Sequence, residues 1–129
     1  MKYLKLFLGG LNSVIGYLLG GLDAMLICLF TFMILDYLTG IIKAFKNKKL
    51  SSETGFYGIL KKITILVVIM VAVQVDTALQ LNDVMRYLAL GFYIANEGLS
   101  ILENAGEIGI PLPEKLKESL EKLRSDEDV

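Results

Sequence analysis

The sequence has no histidine and no tryptophan, a single cysteine and only two prolines. Without histidine, acid–base and nucleophilic triads lose their commonest base, and no glycine-rich phosphate loop is present. One cysteine cannot form a disulfide within the chain and argues against a cysteine-based metal site. The net charge of −1 gives no general attraction to nucleic acid. We therefore expect no enzyme, no cofactor or metal, and no nucleic-acid partner.

Apolar residues are present in excess. Of the 129 residues, 54% are hydrophobic, and the mean hydropathy is +0.58. Soluble domains contain about 45–50% apolar residues, and a small one buries only about two thirds of its surface. The excess gathers in blocks that approach the roughly 20 residues needed to cross a bilayer. These features predict an integral membrane protein.

Three apolar segments, residues 23–42, 63–81 and 84–104, predict transmembrane helices. A fourth segment, residues 4–22, is rich in glycine and either spans the bilayer or lies in its interface as a loose helix with hinges at Gly9-Gly10 and Gly20-Gly21. We expect an all-α integral membrane protein with three or four transmembrane helices and a short charged cytoplasmic C-terminal helix. Its parts are the N-terminal helix (1–22), a transmembrane core (23–110) and a charged tail (111–129).

Lysines determine the predicted orientation. Short loops rich in lysine stay in the cytoplasm, so we expect the basic loop 43–62 to be cytoplasmic, with a short helix capped by Ser51 or Ser52. The turn at residues 76–83 is then outside and the C-terminus inside. The lysines of this loop either bind anionic headgroups at the membrane surface or only set the topology; they are Lys43, Lys46, Lys48, Lys49, Lys61 and Lys62.

A helical wheel of residues 84–104 collects its strongly polar residues within about 120°. Charged residues at membrane depth are costly and persist where they face a partner or water. The stripe therefore lines an aqueous lesion or joins subunits, or it forms a polar seam within the chain against Asp36 and Thr39 of the earlier helix. Its members are Arg86, Tyr93, Asn96, Glu97, Ser100, Glu103 and Asn104.

A second polar stripe contains Asp36, Thr39 and Gly40, and we expect it to face the first stripe, another helix or Lys43. Asp76 is expected near the far interface. All four are further candidates for assembly or pore lining.

Two other faces are candidates for helix packing. Asn12, Gly16 and Gly20 are spaced four residues apart, as in the small-residue faces of packed membrane helices. In the tail, residues 113–124 predict a short helix with a seam of leucines. This seam is either weak and left in solvent, or it docks on a neighbouring subunit.

Two long blocks resemble a known family. They read DYLTGIIKAFKNKKLSSETGFYGILKKI (36–63), followed by VQVD (73–76), and FYIANEGLSILENAGEIGIPLPEKL (92–116). They are similar to the phage-lysis and toxin-secretion holin family of Gram-positive bacteria and their prophages. The resemblance implies a pore-forming protein without catalytic residues. Such a protein assembles as a homo-oligomer in the lipid bilayer, collapses the membrane potential and releases an endolysin or a toxin.

From the resemblance, the predicted function is that of a holin. An antiholin of the same fold, and an accessory membrane subunit or small transporter, are the alternatives. The accessory subunit or transporter predicts a fixed small stoichiometry and no leak on overexpression.

Overall fold

The computed structural model describes residues 1–127, so that Asp128 and Val129 of the predicted tail lie outside the described residues. Within residues 1–127 the chain forms five helices and no strand. They are α1 (Lys2–Leu19), α2 (Ala24–Lys46), α3 (Ser52–Leu79), α4 (Val84–Ile108) and α5 (Glu114–Glu127). The all-α prediction is confirmed, and the predicted tail helix is present as α5.

Local side-chain and backbone signals determine where the helices begin and end. Asp23 caps α2 by accepting a hydrogen bond from the Leu26 amide at 3.0 Å, and Ser51 caps α3 by accepting one from the Thr54 amide at 3.1 Å. Helix α1 stops at Gly20, whose φ of 82° suits glycine. The chain turns there and enters α2 after three residues.

The basic segment differs from the predicted loop. Helix α2 continues to Lys46 and α3 already begins at Ser52, which leaves only residues 47–51 as a connection. The short separate helix expected after Ser51 or Ser52 is instead the first part of α3. The prediction failed because Lys61 and Lys62 interrupt the hydrophobic pattern without interrupting the helix.

The core lies where α1, α2, α3 and α4 meet near the end of the bundle that holds the α3–α4 turn. It is formed by Leu19, Leu26, Leu29, Met33, Ile65, Ile69, Val73 and Leu90. Helix α4 packs mainly on α2 and also on α3, whereas α5 folds back along α4. The polar stripe of α4 is thereby held against the two most apolar helices.

Helix α1 touches the rest of the protein only through its last turns. Residues 1–14 are all exposed, and Ile15, Leu18 and Leu19 supply the contacts to the core. The helix runs unbroken through Gly9 and Gly10, so the hinge expected there is absent. The end of α1 at Gly20 agrees with the hinge expected at that position.

By length and composition, α2 and α3 are candidate membrane spans, which is fewer than the three or four predicted. The mean hydropathy of α1 is lowered by Lys2, Lys5 and Asn12, and that of α4 is lowered by its polar stripe. Only 17% of the apolar window of α2 and 22% of that of α3 is buried in the protein. Such exposure is unlike the core helix of a soluble domain, whose apolar residues would be buried.

Candidate functional site

Arg86 holds the first polar cluster together at the beginning of α4. Its side chain is 1% exposed. The guanidinium donates to Asp23 Oδ2 at 2.7 Å and Oδ1 at 3.1 Å, to the Leu19 carbonyl at 2.7 Å and to the Gly21 carbonyl at 2.9 Å. A bidentate ion pair and two carbonyl acceptors satisfy most of the arginine's donors. Arg86 therefore fastens the α1–α2 connection to α4.

Two carboxylates complete this cluster. Asp76, which is 4% exposed, accepts hydrogen bonds from the Met85 and Arg86 amides at 2.9 and 2.8 Å. It thus satisfies free amides in the first turn of α4 from a neighbouring helix. The hydrogen bond from Arg86 holds the pKa of the Asp23 carboxyl below its usual value. The charged form of Asp23 is the one that the cluster stabilises.

A second polar cluster lies further along the bundle and joins α2, α3 and α4. Lys62 Nζ contacts Asp36 Oδ2 at 2.6 Å and Glu97 Oε2 at 2.7 Å. The side chains of all three residues are less than a fifth exposed. One ammonium group thus bridges two carboxylates from different helices, which fixes the helices relative to one another.

Asn104 extends this cluster toward the end of α4. Its side-chain amide donates to Thr39 Oγ1 at 3.0 Å and to Asp36 Oδ1 at 3.2 Å. Gly40 lies beside it, but a Cβ there would meet Asn104 Nδ2 at an ordinary 3.8 Å. The structure therefore brings Asp36, Thr39 and Asn104 together within one chain, and a methyl group would fit at Gly40.

The remaining members of the α4 stripe face an open groove between α3 and α4. Tyr93, Asn96, Ser100 and Glu103 line it from α4, where Leu99 and the Lys62-bound Glu97 also reach it, and the groove has a volume of about 540 Å³. From α3 it is lined by Tyr57, Leu60, Lys61, Thr64, Ile65 and Val68. Among the described residues, the Asn96 side chain has no hydrogen-bond partner within the chain. This part of the stripe can accept contacts from outside the protomer.

The six lysines of the basic segment occupy different positions. Lys46 donates to the carbonyls of Glu107 and Ile108 at 3.0 and 3.1 Å and so covers the end of α4. Lys43 lies 3.8 Å from the exposed Glu107 carboxylate. Lys62 belongs to the second polar cluster and not to the surface predicted for it. Lys48, Lys49 and Lys61 are exposed.

The two packing faces predicted from the sequence also differ. Asn12 and Gly16 are exposed, and a Cβ on Gly16 would meet nothing within 4 Å. This face of α1 is unpartnered within residues 1–127. In the tail, Leu120 packs against Gly98 of α4, where a Cβ would approach it to 3.1 Å. Leu120 and Leu112 of the seam thus dock on the same chain, whereas Leu116 and Leu123 are exposed.

Sequence reasoning missed Lys62 as the bridge between the stripes and Asp23 as the partner of Arg86. A depth comparison would have placed Lys62 within reach of Glu97, because Lys62 lies 17 residues before the end of α3 and Glu97 lies 13 residues after the start of α4, a difference of about one helical turn. Antiparallel neighbours at equal distance from a turn lie at equal depth. Asp23 carried the signal of a helix cap directly before an apolar run.

Known proteins provide an independent comparison. Residues 13–125 match the model of the bacteriophage holin family. A probable holin of Bacillus phage phi105 is 41% identical over 107 residues, which cover 83% of this chain and 76% of the phage protein. An uncharacterised 14.9 kDa protein from the nagH 3′ region of Clostridium perfringens is 46% identical over 126 residues, covering 97% of this chain and 96% of its own length. No solved structure matches the chain.

Proposed function

This chain belongs to the bacteriophage holin family, and on that premise we propose that it assembles in the bacterial cytoplasmic membrane and permeabilises it to release an endolysin. Membership of the family, together with two apolar and poorly buried helices, marks a membrane protein. A toxin as the released cargo is the second form of the same proposal. In either form the lesion also collapses the membrane potential.

The observation that carries the proposal is the division of the α4 stripe. Arg86, Glu97 and Asn104 are satisfied within the chain, whereas Asn96 and Ser100 face the open groove. A polar side chain at membrane depth gains by meeting a second polar group or water. We infer that the groove pairs copies of the chain in a resting homo-oligomer and faces water in the lesion.

The closed clusters give the protomer a stable shape in both states. The Asp36–Lys62–Glu97 bridge ties three helices together, and Asp76 with Arg86 ties the turn at the other end. In our proposal these residues position the groove, and Tyr93, Asn96, Ser100 and Glu103 make the contacts between copies. The exposed face of α1 with Asn12 and Gly16 offers a second surface for packing between copies.

The proposed topology places α4 in the bilayer beside α2 and α3. Helix α4 is long enough, packs mainly on α2 and buries Leu90, Ala95 and Leu99. The basic connection between α2 and α3 would lie in the cytoplasm, and α5 with it. Three helices then cross the membrane, and α1 provides a fourth or lies in the interface.

The test is a lysis assay in a bacterial host that carries a cytoplasmic endolysin without a signal sequence. Induction of the wild-type chain should give an abrupt loss of membrane potential, followed by lysis only when the endolysin is present. Asn96→Leu should delay or abolish both events, because leucine removes the amide from the groove while filling a similar space. Membrane potential and optical density are recorded together, and crosslinking measures assembly.

Gln74→Leu is the matched control. Gln74 is an exposed amide on α3 outside the groove, so its replacement removes the same chemical group elsewhere. If both variants act like the wild type, the groove has no role in assembly. If the wild-type chain inserts well and the potential persists, the holin function is wrong and an antiholin or accessory subunit remains.

A further inference from the structure

A second cavity, distinct from the α3–α4 groove, opens between the last half of α2 and the beginning of α3. It has a volume of about 580 Å³. Gly55 and Gly58 of α3 give the room that Tyr37 of α2 occupies, since a Cβ on Gly55 would approach the tyrosine hydroxyl to 3.2 Å. Tyr37 therefore lies between the two helices at this end, where α2 finishes and α3 begins.

The lining of this cavity is strongly basic. Four lysines and one acidic residue contribute to it: Lys43, Lys49, Lys61, Lys62 and Asp36. Lys62 is already neutralised by Asp36 and Glu97, and Lys43 has only a long contact to exposed Glu107. Among the described side chains, Lys49 and Lys61 have no acidic partner. The cavity thus carries positive charge that the fold itself does not balance.

Neutral hydrogen-bonding groups and an apolar mouth accompany this charge. Asn47, Ser51 and Thr54 also line the cavity, with the Ser51 hydroxyl bonded to that of Thr54 at 2.8 Å, and Ile41 and Leu50 supply apolar surface beside them. This combination suits a ligand with an anionic, oxygen-rich head and a hydrocarbon body. Basic pockets between membrane helices bind the headgroups of anionic lipids through the same combination.

We propose that the cavity binds the phosphate headgroup of an anionic phospholipid, with Lys43, Lys49 and Lys61 as its cationic contacts. The acyl chains would run along the exposed apolar residues of α2 and α3, of which Ile41 lines the cavity and Ile59 follows Gly58 of its lining. Such a lipid would fill the space that separates the two helices. The proposal concerns lipid selection and is independent of whether the assembly opens a lesion.

The test uses the full-length chain in phosphatidylcholine vesicles that contain spin-labelled phosphatidylglycerol or spin-labelled phosphatidylcholine. The wild-type chain should restrict the motion of phosphatidylglycerol preferentially. Lys49→Gln and Lys61→Gln should each lower that preference by about fivefold, which corresponds to the contribution of one lysine near a headgroup. Electron spin resonance gives the motionally restricted fraction of each lipid.

Lys48→Gln is the matched control, since Lys48 is adjacent to Lys49 but lines a different surface, with Phe45, Lys46 and Leu50. It removes the same charge from the same connection and should leave most of the preference. An equal loss with Lys48→Gln would overturn the proposal in favour of general surface attraction. Displacement of the labelled lipid by soluble glycerol phosphate would overturn the lipid as ligand and assign the cavity to free phosphates.

Discussion

Single charged residues determine how the helices of this protein are joined, and Arg86 is the clearest case. A buried guanidinium would be costly without partners, but here it meets a carboxylate and two carbonyls that have no other donors at the α1–α2 connection. Gly20 must stay small beside it, because a Cβ there would lie 2.5 Å from the guanidinium Nε. Any residue larger than glycine at position 20 would therefore collide with Arg86 in its present position.

Arg86→Met should lower the free energy of unfolding by about 3 kcal/mol, because it removes the counter-ion of Asp23 and the donor to both carbonyls. Unfolding in mixed micelles, followed by circular dichroism, measures the change. Asp23→Asn should cost less, since an asparagine side chain can still accept from the Leu26 amide. Equal stability of Arg86→Met and the wild type would show that the cluster contributes nothing.

The pH dependence of this difference follows from Asp23. Its lowered pKa means that the pair with Arg86 is fully formed above the carboxyl's ordinary pKa and is lost only as the pH falls through the lowered value. The stability difference between the wild type and Arg86→Met should stay constant from neutral pH to about pH 5 and shrink in stronger acid.

At the residue scale, the sequence predicted the existence of the polar stripes better than their partners. The helical period of α4 collected Glu97 and Asn104 on one face, and the structure brings both to Asp36 of α2. Lys62 was assigned to the surface because it follows Lys61 in a basic run. The two lysines differ only in how α3 packs, since Lys62 lies against the other helices and Lys61 is exposed. The spacing of residues along the sequence does not reveal this difference.

Among the elements, α5 shows most directly how tertiary contacts decide the state of a helix. A charged helix of 14 residues is marginal in water on its own. Here Leu120 packs into the space left by Gly98, next to Phe32 of α2, and Leu112 lies over Gly106. These contacts with α4 make the docked helix more stable than the isolated one.

Leu120→Ala should release α5 from α4 more often, because it removes apolar contact at the centre of the docked surface. Hydrogen exchange of α5 amides in micelles should accelerate roughly tenfold, for a loss of about 1.4 kcal/mol. Leu116→Ala is the control, since Leu116 is 48% exposed and its truncation should change exchange little. Similar acceleration by both variants would mean that the helix is not held through Leu120.

The elements themselves were predictable where a local signal coincided with a change in hydropathy. Asp23 before α2 and Gly20 after α1 are such positions, and the boundaries there are close to those expected. The predicted loop between α2 and α3 was wrong because charge was taken as a sign of irregular structure. A lysine is a good helix former, and its charge affects depth in the membrane more than backbone conformation.

On the scale of the whole molecule, the apolar belt, meaning the exposed apolar residues that would contact lipid, differs in length from one side of the bundle to the other. On the outer face of α2, apolar residues are exposed from Ile27 to Phe45, a length of about 27 Å that is close to the thickness of the hydrocarbon core. On α4 the uncharged run between Arg86 and Glu97 covers only about 15 Å. The charged helix α5 lies along the same side of the molecule. The length of the apolar surface thus matches the thickness of the bilayer on the side of α2 and is too short on the side of α4.

This asymmetry predicts that association depends on bilayer thickness. A short apolar side is accommodated by thinning of the membrane or by contact with a second copy, and the cost of thinning grows with thickness. Energy transfer between labelled chains at fixed protein density should therefore increase from dimyristoleoyl to dieicosenoyl phosphatidylcholine. Asn96→Leu should weaken association at every thickness without removing the trend, because it changes the groove and leaves the belt unchanged. Association that is independent of thickness would assign the contact between copies to the polar groove alone.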